Sequence, residues 1–351
     1  MHGAADRGAR ILVATWLFVV AGMILVMIVL GGVTRLTGSG LSIMEWSPFA
    51  GALPPMSAVE WRRLFHLYQQ IPQYKLLNPD ISLVGFQQIF WLEWIHRLWG
   101  RLIGLVFLVP LIWLWLTGRI DRRLRPKLVL LFVLGGLQGA IGWFMVASGF
   151  FPDSTAVSPY RLVLHLALAL ILYSAIIWTG LSVLWPNPPP ARRHRLLHHM
   201  AWTVCATTAL TMLAGGFVAG THAGFDYNTF PLMDGRLLPR GYAALQPFVR
   251  NLTENIPAVQ FDHRLLATVT VLLVAGTLGL GLIERPPRST RRALIALGIA
   301  AALQYTLGVA TLLLVVPVAL ATLHQAVATL LLTGGLVLLH TTRTVPIRPT
   351  S

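Results

Sequence analysis

Four histidines stand in four apolar, helix-length segments: His96, His165, His263 and His324. A polar ring is costly inside a bilayer, so an intramembrane histidine is a functional candidate by default. The four form two matching pairs, one in each half of the chain. Two imidazoles facing one central space are what a bis-histidine haem iron needs, and two such pairs would serve two haems. One such histidine is explained equally well by an interhelical hydrogen bond. Duplication would copy a structural histidine, but it does not explain why two in each half lie at one level.

The halves differ beside the first histidine of each pair. Glu93 precedes His96 by three residues, and Gln260 precedes His263 by three. Positions i and i+3 share a helix face, so Glu93 points towards whatever His96 binds. A carboxylate there can move protons or stabilise a developing cation, and an amide can do neither. The asymmetry suggests chemistry in the first half and a permanent cofactor in the second. The plainer alternative is a solvated carboxylate at a helix start, favoured by the helix dipole. Arg97 and Arg264 follow the two histidines and suit either haem propionates or the membrane surface. His194, His198 and His199 fall in a basic stretch and are expected to be solvated. His66 and His222 fall in loops, and His2 and His340 near chain or helix ends.

The elements that must position these residues are membrane helices. Of 351 residues, 56% are hydrophobic and 11% charged, the balance of a polytopic membrane protein. A span needs ~20 apolar residues. Eight are expected, near Ile11–Leu30, Trp91–Leu116, Leu128–Ala147, Tyr160–Trp185, Met200–Gly220, Val259–Ile283, Ala293–Val316 and Val318–Leu339. The four histidines then enter from one side, roughly 7–10 Å below the boundary at 1.5 Å per residue.

The net charge of +15 is placed for a membrane, not for nucleic acid. Arg7 and Arg10 precede the first span. Arg119, Arg122, Arg123, Arg125 and Lys127 fill the second connection, Arg192, Arg193 and Arg195 the fourth, and Arg285, Arg288, Arg291 and Arg292 the sixth. Arg343 and Arg348 follow the last span. The short connections on the other side carry no Lys or Arg. This bias puts both termini in the cytoplasm, with the basic loops against phospholipid. The first span is long for a signal peptide and has no small-residue cleavage site after it, so it is kept as a helix. No Arg/Ser-rich transit segment precedes it, which favours a bacterial plasma membrane. The lone cysteine, Cys205, excludes an intramolecular disulfide or a cysteine metal cluster.

The chain repeats itself. Glu93-Trp94-Ile95-His96-Arg97-Leu98 matches Gln260-Phe261-Asp262-His263-Arg264-Leu265. Leu137-Gln138 with Gly142 matches Leu303-Gln304 with Gly308. Gly31-Gly32 matches Gly215-Gly216, and His165 matches His324 across a shortened connection. Four spans per repeat give both halves one orientation. The expected fold is therefore all-α and integral to the membrane: eight transmembrane helices in two four-helix bundles, related by a pseudo-twofold axis along the membrane normal. Residues 1–185 form the first bundle, 186–199 a cytoplasmic linker containing Pro188-Pro189-Pro190, and 200–351 the second bundle. Gly135, Gly139 and Gly142 suggest close helix contact in the third span. The long loops Thr34–Phe90 and Thr221–Ala258 are expected to cover the mouths of the bundles.

Several long motifs in order resemble the haem A synthase family over most of the chain. They are Gly31–Ser42, the Glu-Trp that follows with Pro48, Phe90–Arg97, Gly215–Gly220, Asn228–Met233, Gln260–Arg264 and the segment around His324-Gln325. The resemblance implies an eight-helix enzyme that oxidises the C8 methyl of haem O to a formyl group, giving the haem A of cytochrome oxidases. It implies that His96 and His165 take the substrate iron, that His263 and His324 ligate haem b, and that Glu93 is the catalytic carboxylate. One branch of the family carries a cysteine pair in the first external loop. This chain has none, and Tyr68–Lys75 looks like the branch shared by mitochondria and related bacteria.

Three readings follow. The first is a membrane oxidoreductase acting on haem O, with haem b as electron relay, an electron donor the sequence does not name, and a haem O-forming prenyltransferase as a candidate partner. The second is a diheme b-type electron-transfer cytochrome, which leaves Glu93 against Gln260 unexplained. The third is a transporter or haem exporter, which predicts no permanent haem in the second half. The family motifs favour the first.

Overall fold

A computed structural model describes residues 2–46, 50–186 and 194–343. The expected Pro48, Pro188-Pro189-Pro190, Arg192, Arg193 and Arg348 lie outside the described residues, and so does half of the 186–199 linker. The fold is all-helical. Among the described residues, eight helices are long and apolar enough to cross a membrane. They are α1 (His2–Leu36), α4 (Leu83–Leu116), α5 (Arg125–Ala147), α6 (Pro159–Leu184), α7 (Arg195–Gly220), α9 (Ile256–Glu284), α10 (Arg288–Leu313) and α11 (Val318–Thr342). Three shorter helices, α2 (Ala58–Tyr68), α3 (Pro72–Leu77) and α8 (Asn251–Glu254), lie in the two long loops. Helix is the form that lets an apolar span satisfy its own backbone without water. Prolines in the first turn open α5, α6 and α9, where the missing N–H costs nothing. Ser57 and Ser82 cap α2 and α4 by accepting from the amides of Glu60 and Gly85, each at 3.2 Å.

Helix contacts recur between the halves. In the first, α1 packs on α4 and α6, and α5 on α6 and more sparsely on α4. In the second, α7 packs on α9 and α11, and α10 on α11 and α9. Helices α6 and α7, α1 and α11, and α6 and α11 join the two sets. One core gathers Leu17, Val20, Leu114, Leu128 and Ile176, and another Leu197, Ala201, Val204, Leu297 and Leu338. Buried threonine hydroxyls return to carbonyls one turn back, as Thr179 does to Ala175 and Thr277 to Leu273. Tyr173 meets Thr333 at 2.7 Å across the join.

Three expectations change. Helix α4 starts at Leu83 rather than Trp91, so His96 lies deeper in its helix than its three counterparts do in theirs. The extra turns rise into the loop layer, where Phe86 and Phe90 pack with Leu64, Tyr68 and Ile71 under α2 and α3. The stretch expected to be solvated is partly structural: His194 is buried and meets Glu284 at 2.7 Å, and His198 meets Thr342 at 3.2 Å. Likewise His340, near a helix end, is buried edge-on to Trp178. The turn between α10 and α11 puts Val315 and Val316 at φ 58° and 57°, a region β-branched residues rarely occupy. The Asn228 amide holds the helix end beside it by donating to the Leu312 carbonyl at 2.9 Å.

Candidate functional site

Each of the four histidines packs against a glycine of a neighbouring helix, and the pairing repeats. The His96 ring lies on Gly31 of α1 and the His263 ring on Gly215 of α7. His165 lies on Gly142 of α5 and His324 on Gly308 of α10. A Cβ at these glycines would stand 2.8 to 3.2 Å from the imidazole Cε1, so only glycine leaves the ring its place. Gly142 therefore has a specific task beyond small-residue packing. Gly135 and Gly139 correct the expectation for this span, since a Cβ at either would meet nothing within 4 Å.

The second residue of each recurring Leu-Gln motif also reaches a histidine. The Gln138 amide nitrogen lies 3.2 and 3.3 Å from the two ring nitrogens of His165, and also donates to its carbonyl at 3.1 Å. Gln304 lies 3.4 Å from His324 Nε2. His263 Nδ1 meets the Thr211 carbonyl at 3.1 Å. That bond sets the tautomer and leaves Nε2 for a metal. His96 Nδ1 and His324 Nδ1 are buried without a hydrogen bond. A buried imidazole nitrogen with no partner is costly, and a bond from that nitrogen to iron would remove the cost. No group of three or more His, Cys, Asp or Glu side chains able to hold an ion gathers among the described residues. A haem brings four nitrogen ligands of its own and asks the protein for two. The residues present thus fit haem in both halves.

Glu93 is not solvated: it is 2% exposed. Its Oε2 accepts from Ser42 Oγ at 2.7 Å and from the Ile43 amide at 2.9 Å. Its Oε1 accepts from Arg97 Nε at 3.0 Å and Nη2 at 2.5 Å. Arg97 in turn donates to the carbonyls of Ile43 and Glu45. Gln260, equally buried, does the matching task with reversed polarity. Its amide nitrogen donates to the carbonyls of Ala223 and Asp226 at 2.7 and 2.5 Å, and its oxygen accepts from Arg264 at 2.8 Å. Arg264 reaches the carbonyls of Tyr227 and Thr229. In both halves, then, this pair clamps the loop that leaves the first helix of the repeat. Both arginines donate to loop carbonyls as well as to the residue four positions earlier.

Sequence reasoning missed Ser42, Thr211 and the loop carbonyls because they meet the site only through folding. Gln138, Gln304 and the four glycines could have been found: each recurs at its position in both halves. At the join, Arg35 donates to the Ala219 carbonyl and meets His222 Nε2 at 3.1 Å, and Gln325 donates to the Ile28 carbonyl at 3.1 Å.

A sequence model of the cytochrome oxidase assembly protein family (COX15-CtaA) matches residues 14–335. A "Heme A synthase" of Granulibacter bethesdensis is 62% identical over 95% of this chain and 88% of its own. That of Rhodospirillum centenum is 50% identical over 93% and 86%, and "Heme A synthase 2" of Acidiphilium cryptum 46% over 95% and 92%. With spans, paired histidines and whole-length similarity in agreement, the chain belongs to the haem A synthase family of multi-pass membrane proteins.

Proposed function

We propose that this protein oxidises the C8 methyl of haem O to a formyl group by successive hydroxylations, making haem A for cytochrome oxidase. The observation that carries the reading is the duplicated set of imidazoles seated on glycines, combined with a carboxylate in one half where the other has an amide. Two bundles related by a pseudo-twofold axis account for the recurring helix contacts. His96 and His165 hold the iron of the substrate. Gln138, against both nitrogens of His165, orients that ring. Glu93 supplies a negative charge one turn from His96, and its bonds to Ser42 and Ile43 keep it there and shape the loop over the site. Because both oxygens are engaged, it serves a developing cation directly, and it takes a proton only when Ser42 or Arg97 moves aside.

His263 and His324 would hold haem b, which would supply an electron relay fed by a donor outside the chain. Thr211 and Gln304 set the orientation of those two rings. The basic connections lie at the end opposite the long loops, which suits cytoplasmic termini and a bacterial plasma membrane. A chain without an external cysteine pair fits the branch shared with mitochondria.

Haem extraction and chromatography test this on detergent-purified protein expressed with a haem O-forming prenyltransferase. Haem b together with haem O and haem A, or a hydroxylated intermediate, is expected. Two haem b per chain and nothing else would instead make this a diheme electron-transfer cytochrome.

A further inference from the structure

The two halves are packed differently at the seam between the helices carrying Leu-Gln-(three residues)-Gly and Trp/Phe-(one residue)-His-Arg. In the second half the seam between α9 and α10 is closed. Tyr305 of α10 meets Thr268 of α9 at 3.2 Å, and Leu278 of α9 lies where a Cβ on Gly298 of α10 would stand 2.7 Å from it. The first half lacks the first of these closures, and at the second Phe132 packs on Phe107 instead. The offset that pairs Gly142 with Gly308 sets Gly139 against Tyr305, Gly136 against Ala302 and Phe132 against Gly298. The offset that pairs His96 with His263 sets Gly104 against Val271.

These three glycines stand on the stretch of α4 and α5 between two inter-helix contacts. Phe107 on Phe132, 6.1 Å apart, marks the level below them, and Arg97 over Trp143, at 5.7 Å, the level above. A Cβ at Gly104, Gly136 or Gly139 would meet nothing within 4 Å. One turn further down, beyond the Phe107–Phe132 pair, lies a groove of about 370 Å³ lined by Leu108, Leu111, Ile112, Trp115, Val129 and Phe132. One turn up, the opening ends at Gly142 and the His165 ring. From Phe132 to Gly142 is about 15 Å of helix.

We infer that the α4–α5 seam is a side slot that takes the prenyl chain of haem O, with the porphyrin between His96 and His165 and the chain running down between Gly104 and Gly136 into the apolar groove. This rests on the reading that the first half holds the substrate. The occupant is chosen by the asymmetry: haem O differs from haem b by its prenyl chain, and only the half assigned to haem O has the opening. An apolar chain along apolar walls is also the chemistry the groove fits. The slot makes the first half selective for a prenylated haem.

The test copies the closed half into the open one. Gly139→Tyr, Gly104→Val and the milder Gly139→Leu are purified with haem b in the second half, whose spectrum reports folding. Haem O and haem B are then each titrated into the first half. The wild type should bind haem O at least tenfold more tightly than haem B. The variants should lose that preference while haem B uptake and the second-half spectrum stay unchanged. Equal loss of both haems, an unchanged preference, or no preference in the wild type would overturn the slot; an unchanged preference is what a groove filled by lipid acyl chains would give. His96→Ala separates the two claims. If haem O still binds to that variant with wild-type affinity and spectrum, the substrate assignment fails, whatever the slot variants do.

Discussion

Replacing Glu93 with glutamine separates its two duties. The carboxylate accepts four hydrogen bonds, two from Arg97 and one each from Ser42 and the Ile43 amide. An amide offers one oxygen and one NH₂. With the oxygen towards Ile43, the NH₂ faces the guanidinium, and both charge-assisted bonds are lost. With the oxygen towards Arg97, the NH₂ faces the Ile43 N–H, and a buried donor is left unpaired. Either way the loss is about 3 kcal/mol, since a bond to a charged group is worth about 1.5–3 and an orphaned buried donor costs about 1–3. That is roughly a hundredfold in the ratio of clamped to released loop. Hydrogen exchange read on the peptide around Ile43 should therefore rise by about that factor. Haem A yield, read by extraction, should fall, while haem b stays bound in the second half. Unchanged exchange would refute the clamp. A normal haem A yield would refute any role of Glu93 in the reaction. Exchange that rises with a normal yield would make the clamp purely structural.

Further outcomes follow from the same geometry. Gly308→Ala should push the His324 ring by several tenths of an ångström, because the new Cβ would stand 2.8 Å from Cε1, and should lower haem b occupancy roughly tenfold, read from the reduced absorption spectrum. Gln260→Glu would set a carboxylate against the Ala223 and Asp226 carbonyls. It should lower thermal stability more than Glu93→Gln does, measured by unfolding in detergent. In the first loop, Arg63 bonds hold Glu45 and Glu60 below the usual carboxylate range. A carboxylate whose folded pKa is depressed contributes stability above its unfolded value, about 4.3, and loses it as pH falls through the folded one. Proteolysis of the 45–63 segment should therefore be flat down to about pH 5 and accelerate below about pH 4, and Arg63→Ala should abolish that dependence. In the second loop, partial burial and the charge of Arg35 depress His222, so its contact with Arg35 should hold above about pH 6.5 and weaken below it.

What could be read from the chain alone was whatever leaves a one-dimensional trace. Spans show as runs of apolar residues because the bilayer core sorts side chains by transfer cost. Histidines inside those runs stand out because the same cost makes them rare. The repeat and the family motifs show as recurring residue order. Helix ends were less legible: α4 gains its first turns from Phe86 and Phe90 packing under α2 and α3, a contact no periodicity within α4 reveals. The duties of polar groups were legible only in part. Glu93 stood out by its asymmetry with Gln260, but two of its partners, Ser42 and the Ile43 amide, lie some fifty residues earlier in the chain and are groups present everywhere. Tertiary packing alone decided that Gly31, Gly142, Gly215 and Gly308 are the seats of four imidazoles while Gly104, Gly136 and Gly139 face open space. A glycine reads the same in sequence whether a ring lies against it or nothing does. What separates the cases is how near the neighbouring helix comes, and that is set by side chains on both helices at once.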